Sequence, residues 1–321
     1  MENNKHFKYI VFLFVLILFL FGGIVTFKNI IALNTDISNS NARPVVINDE
    51  LYKSICQYGE KHMPEPIDAK IDRVWKAIPG YNGKKVDVEA SYKVMIKDGI
   101  FDVSKIIYIE IPPKVHLDDL GPEPIYRGNF QKPMVAPLIN VAWGNEYIPK
   151  ILDTLNKHQL KVTFFFDGSW VKKNQDVAKL IKEEGHEIGN HAYSHPDLSS
   201  YSIEQTKEEI LKTNAIIEET VGVKPIWFAP PSGSFNKNTI QVAQQLNMKT
   251  ILWTVDTIDW RNPETNSMVK RVTDSVGNGS MILMHPTKPT AEGLDAMITR
   301  IKEKGYKLGT VSELMDEKRI D

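Results

Sequence analysis

Seven apolar runs alternate with six amphipathic helical patterns over residues 133–315, and that alternation leaves few folds open. The runs are Val135–Val141, Lys161–Phe166, Glu187–Asn190, Pro225–Phe228, Thr250–Val255, Ser280–Met284 and Lys307–Val311. Between them lie Tyr147–His158, Val171–Glu184, Ile203–Val221, Asn236–Leu246, Met268–Val276 and Leu294–Lys304. Short apolar runs separated by helical periods read as strands of a parallel sheet covered by helices. Ser202 and Asn236 stand where N-caps belong, and Gly185, Gly222 and Gly305 where helices end. The expected fold is α/β, a distorted (β/α)7-type barrel over residues 134–315. In such folds chemistry gathers on loops after the C-terminal ends of the strands.

The stretch Gly185–Pro196 carries His191 and His195 on such a loop, four residues apart. Pro196 keeps residue 195 out of right-handed helical angles, so the pair belongs to a turn and not to a helix face. Two imidazoles held this way can share a divalent metal, with zinc the first choice. Other candidates follow other strands: Asp256, Asp259 and Trp260 after the fifth, His285 after the sixth, Pro230–Gly233 after the fourth. A single histidine at a strand end is usually structural. Three histidines and two aspartates converging on one rim point to a site.

These motifs, in this order, resemble the polysaccharide deacetylase family (carbohydrate esterase family 4) over about residues 134–315. His191 and His195 match its paired metal-binding histidines. Thr254–Trp260 is similar to the motif in which Asp259 orients a catalytic histidine and Trp260 walls the groove. Leu283-Met284-His285 matches the motif whose histidine is the general acid and whose leucine lines the acetyl pocket. Pro230-Pro231-Ser232-Gly233 matches the loop whose backbone N–H helps hold the oxyanion. The resemblance implies metal-dependent hydrolysis of N-acetyl groups on a glycan, with the metal polarising the carbonyl and activating water, and histidine returning a proton to the amine.

The chain departs from that pattern at its centre. Where the family has Thr-Phe-Asp-Asp-Gly, this chain has Asn140-Val141-Ala142-Trp143-Gly144. Ala142 replaces the base and Trp143 the third metal ligand, and neither side chain can do either task. The arginine expected to pair with the base is Ala229. Their joint absence is coherent, because a buried arginine without its carboxylate costs several kcal/mol. Glu146 and Asp167 are the candidate substitutes. Each also has an ordinary reading, as a first-turn acid and a turn residue.

Residues 10–27 form an uncharged stretch of 18, IVFLFVLILFLFGGIVTF, extended by Ile30–Leu33. It is long enough to span a bilayer. It lacks a small-residue cleavage site, so a transmembrane signal-anchor at 10–33 is expected. Lys5 and Lys8 place a cytoplasmic tail at 1–9 and the C-terminal bulk outside. A linker (34–43), a small α+β module (44–113) and a second linker (114–133) come next. Within the module, Glu50–Tyr58 reads as a helix, Ile67–Trp75 as a helix or strand, and Val86–Tyr92 and Lys105–Ile111 as strands. A net charge of −1 and the lack of a basic stripe speak against nucleic acid. The single cysteine, Cys56, excludes an internal disulfide and a cysteine-built zinc site.

Two readings follow. One is a membrane-anchored deacetylase of N-acetylated cell-wall or spore-wall glycan, which looks like the sporulation-associated branch of the family. The other is an inactive deacetylase fold that grips glycan, with Trp143, Trp170, Tyr193 and Trp260 as sugar-facing aromatics.

Overall fold

The computed structural model describes residues 49–320. The expected tail, membrane span and first linker lie outside the described residues. Among the described residues no helix is long and apolar enough to cross a membrane. The chain divides into two units, Met1–Tyr52 and Lys53–Asp321. Of the first, only the start of helix α1 (Asp49–Lys61) is described.

Ahead of the barrel, β1 (Lys70–Asp72) pairs antiparallel with β2 (Lys76–Ile78), and β3 (Gly83–Val86) with β4 (Tyr108–Ile111). The expected strand at Val86–Tyr92 is corrected here. β3 ends at Val86, and Val88–Met95 is helix α2. The Asp87 side chain accepts the Ala90 N–H at 2.9 Å, a helix cap that overrides the apolar alternation. Of the expected strand Lys105–Ile111, only β4 is strand, because Val103–Lys105 is a 3-10 turn. The stretch 114–133, expected as a linker, is packed. Ile125 is buried and extends the sheet, donating to Thr250 O at 2.9 Å and accepting from Leu252 N at 2.8 Å. Ala77 and Ile125 share one apolar cluster with Val311 and Leu314. Lys132 is buried and caps the C-terminal helix by donating to the carbonyls of Glu313 and Asp316. Burial pushes its ammonium down to about 8.

The barrel proper contains β5 (Met134–Val141), β6 (Thr163–Phe166), β7 (Glu187–Asn190), β8 (Trp227–Phe228), β9 (Lys249–Thr250), β10 (Val255–Asp256), β11 (Ser280–Met284) and β12 (Lys307–Leu308). Every ladder among them is parallel, in the order β10-β11-β5-β6-β7-β8-β9, with β12 beside the start of β5. The run Thr250–Val255, read as one strand, is two. β9 and β10 stand at opposite edges of the sheet, and Ile251–Thr254 crosses the seam between them. This crossing bonds to both sides, from Ile251 N to Phe228 O and from Thr254 N to Met281 O. The sheet is therefore an open α/β barrel, in keeping with the distorted (β/α)7-type barrel expected, with the fifth expected strand split in two.

β5 shows how the layers form. Successive side chains alternate faces. Val135, Ile139 and Val141 pack against the outer helices. Met134, Ala136 and Leu138 fill the inside. Asn140 is the next inward residue, at the top of the barrel interior. The outer helices α3 (Ile148–Lys157), α4 (Gly168–Lys173), α5 (Gln175–Glu183), α6 (Ile203–Val221), α7 (Lys237–Gln245), α8 (Thr265–Ser275) and α9 (Lys288–Glu303) are followed by the short α10 (Val311–Met315). α6 carries the expected cap, a reciprocal box between Ser202 and Gln205.

One buried group makes this core acid-sensitive. His186 is buried; its Nδ1 accepts the Val162 N–H at 3.2 Å, and its Nε2 has no partner among the described residues. Burial pushes its pKa down from 6.5 to about 4, with Lys161 adding to the shift. A lowered histidine pKa contributes stability that is complete above pH 6.5 and lost as pH falls through 4. The loss amounts to roughly 3 kcal/mol at most. Thermal melts of wild type and His186→Gln from pH 7 to 4 should converge, the wild type falling faster. Parallel profiles would remove His186 as the cause.

Candidate functional site

The loops after the parallel strands bring most of the expected residues to one rim. His191 follows β7 directly and is buried. Its Nδ1 donates to Ala229 O at 2.7 Å, which leaves Nε2 as the free acceptor. Burial drives its pKa down to about 3, reinforced by His195, so the ring is neutral. The His195 ring lies 5.2 Å away, tilted by 71°. Burial lowers His195 too, against the pull of Asp167.

The rim is held in unusual backbone. Ala192 (φ 59), His195 (φ 55), Ser232 (φ 55) and Ile258 (φ 51) are all left-handed. Non-glycine residues pay of order 1 kcal/mol or more there, and such outliers cluster at functional sites. His195 is thus kept from the right-handed helix, as Pro196 implied, but it is left-handed and not extended.

Asp259 and His285 form a tight pair. Nδ1 of His285 sits 2.8 Å from Asp259 Oδ1, and Oδ2 accepts the His285 backbone N–H at 2.7 Å. Thr290 and Thr287 also donate to Oδ2, at 2.6 and 3.1 Å. Burial would raise the Asp259 carboxyl, but the His285 hydrogen bond and charge, with the Thr290 hydroxyl, hold it below its ordinary value.

Trp143 dominates the rim. Its indole stacks on His285, centroids 5.3 Å apart and planes 16° apart, and meets His195 edge-on at 6.2 Å. Gly144 makes this placement possible. Its φ is +83°, and a Cβ there would lie 1.9 Å from Pro286 O, so the Trp143 loop clamps onto the loop after His285. Trp143, Trp260, Leu283, Ser232, His195 and His285 line a cavity of about 370 Å³, joined by Asp256, a rim candidate without an assigned role, and by Asn140 and Trp253, to which no site role attached from sequence. Trp253 sits on the seam crossing, which the sequence disguised as strand. Asp256 was visible in its motif, without a role.

The two substitute acids fare differently. Glu146 is exposed and faces a separate hollow with Asn145, Ser169, Lys173 and Asn174, on the far side of Trp143. The structure therefore does not bring Glu146 to the histidines. Asp167 is buried near His195; its Oδ1 caps α4 through Trp170 N at 2.8 Å, while Oδ2 is buried without a partner among the described residues. Burial raises its carboxyl. Trp170 is buried, donating to Asn145 Oδ1 at 2.6 Å, so it is core and not a sugar platform.

A catalytic zinc site takes three protein ligands and an open position. His191 Nε2 and His195 supply two donors. Among the described residues no group of three histidine, cysteine or acidic side chains is arranged to hold a metal. Neither the Ala142 side chain nor the Trp143 ring offers a carboxylate or imidazole donor. The residues present do not fit a catalytic metal centre.

Known proteins agree with this geometry. The family model described as polysaccharide deacetylase matches residues 127–251. An uncharacterised Bacillus subtilis protein is 56% identical over 272 residues, 85% of each chain. A Bacillus anthracis protein described as a carbohydrate esterase family 4 pseudoenzyme has a solved structure at TM-score 0.81 and 49% identity, covering 84% of this chain and 96% of that one. A mutant of it, at 48% identity, is described as having restored enzymatic activity. The Listeria monocytogenes peptidoglycan-N-acetylglucosamine deacetylase is 39% identical over 171 residues, 53% of this chain and 36% of its own length.

Proposed function

The chain belongs to the polysaccharide deacetylase family, carbohydrate esterase family 4, and from that premise we propose that it binds cell-wall or spore-wall glycan without hydrolysing it. The observation that carries this reading is Trp143, an aromatic ring stacked on His285 where the family's chemistry calls for a carboxylate. Aromatic faces grip sugar rings through apolar contact. Trp143 and Trp260 are 44% and 51% exposed, which gives the rim two such faces. In the same proposal, residues 10–33 anchor the protein in the membrane, and its rim faces the wall.

The test is retention of the purified full chain on insoluble peptidoglycan, with acetate release followed in the presence of zinc. Retention without acetate is expected. Trp143→Ala with Trp260→Ala should weaken retention about tenfold, since each aromatic contact is worth about 0.5–1.5 kcal/mol. Zinc-dependent acetate from the wild type, or no retention, would defeat the reading.

The hydrolytic reading has one observation of its own, the intact Asp259–His285 pair. That pair could return a proton to an amine, but Ala142 stands where the resemblance puts the base, and the one carboxylate among the described residues lining the cavity is Asp256, whose Oδ1 already accepts the Ile258 N–H. The same acetate assay decides the matter.

A further inference from the structure

We infer that the cavity beneath Trp143 recognises a free-amine sugar, a glucosamine unit with its protonated amino group against Asp256, in preference to an N-acetylated one. The inference rests on the glycan-binding reading above.

Charge comes first. Asp256 is the one carboxylate among the described residues lining the cavity, and no lysine or arginine is among them. Its Oδ1 accepts the Ile258 N–H at 2.7 Å, leaving Oδ2 for a ligand. Asp259, behind His285, balances that imidazole if it is charged. A carboxylate lining a pocket without a fixed cation suits a cationic ligand.

Shape and acceptors agree. Trp143, Trp253 and Trp260 line the same cavity. Indole faces attract ammonium groups, tryptophan best among the aromatics. Trp260 already does so with a protein cation, the Arg261 guanidinium 4.6 Å from its ring. Asn140 is buried, and its Oδ1 has no partner among the described residues. An unpaired buried acceptor is costly and is relieved by a donor. A cage of aromatic faces with surplus acceptors fits an ammonium. An acetamide has one N–H for these acceptors where an ammonium has three, and no charge to match the carboxylate.

The experiment is calorimetric titration of the full chain at pH 6 with a glucosamine tetramer and, separately, an N-acetylglucosamine tetramer. The glucosamine tetramer should bind about tenfold tighter or more, as expected of a desolvated cation–π contact joined to a charge-assisted hydrogen bond. High salt should narrow the gap. Asp256→Asn keeps the acceptor for Ile258 N and so the turn. It should erase the preference by weakening the glucosamine tetramer to the level of the N-acetylated one. An unchanged melting temperature shows the variant folded, and Asp256→Ser offers a second neutral side chain. Equal or tighter binding of the N-acetylated tetramer overturns the inference and leaves glycan binding standing. A preference that survives both variants also overturns it. Binding of neither tetramer, with no retention on peptidoglycan, removes the inference and the reading together.

Discussion

Replacing Ala142 and Trp143 together with aspartate is expected to raise zinc affinity by about a hundredfold or more and to start acetate release. Losing a mere outer partner of a metal ligand already costs 10–100-fold, and position 143 would supply a ligand itself. The histidines are ready for it. His191 is neutral, its tautomer fixed by Ala229 O, with Nε2 free. Removing the indole also uncovers His285, now stacked at 5.3 Å. The changes should be strongly non-additive, because both act on one site. Trp143→Asp alone should gain metal without a base. Ala142→Asp alone should gain little, since the indole still fills the rim. Adding Ala229→Arg should help further by giving the new carboxylate a partner. Calorimetry with zinc and an acetate assay on glycan oligomers check the series. A folded double variant that binds no zinc would mean that His191 and His195 are not set for a metal.

Asp259→Ala should destabilise the protein by about 3–5 kcal/mol, the cost of breaking a buried pair from one side. The carboxylate side chain is fully buried and accepts from His285 twice and from Thr287 and Thr290. All four donors would lose their acceptor. The midpoint of thermal unfolding should fall by about 10 °C. Asp259→Asn keeps one oxygen and should lose less. The lowered carboxyl pKa means this contribution is complete above its ordinary 3.8 and fades only below it. Differential scanning calorimetry at pH 7 is the measurement. A loss under about 1 kcal/mol would show that the pair is not part of the frame.

The sequence carried the barrel because burial on both faces leaves continuous apolar runs, and β5 is buried throughout. It failed where single residues decide. Asp87 turned an alternating stretch into helix by capping it. Ile125, one residue in a proline-rich stretch, became a strand extension that no periodicity could reveal. The rim histidines, Asp259 and Trp260 were legible because each follows a strand. Asn140 was not, since its place depends on the inward face of β5. Glu146 was misjudged for a related reason. Three residues along a 3-10 turn carried it around Trp143 into another hollow.

The seam between β9 and β10 has one more implication. A closed ring of strands is a hoop that cannot loosen without breaking ladder hydrogen bonds. This barrel is open between β9 and β10, and there the crossing Ile251–Thr254 bridges its two edges, carrying Trp253 and leading straight into Asp256. Ser232 follows β8, toward one edge of the sheet, and Asp256 ends β10 at the other. A sugar touching both would act as a clasp. Occupancy of the cavity would then stiffen the barrel across its opening, and amide exchange along the crossing would slow when a sugar fills it.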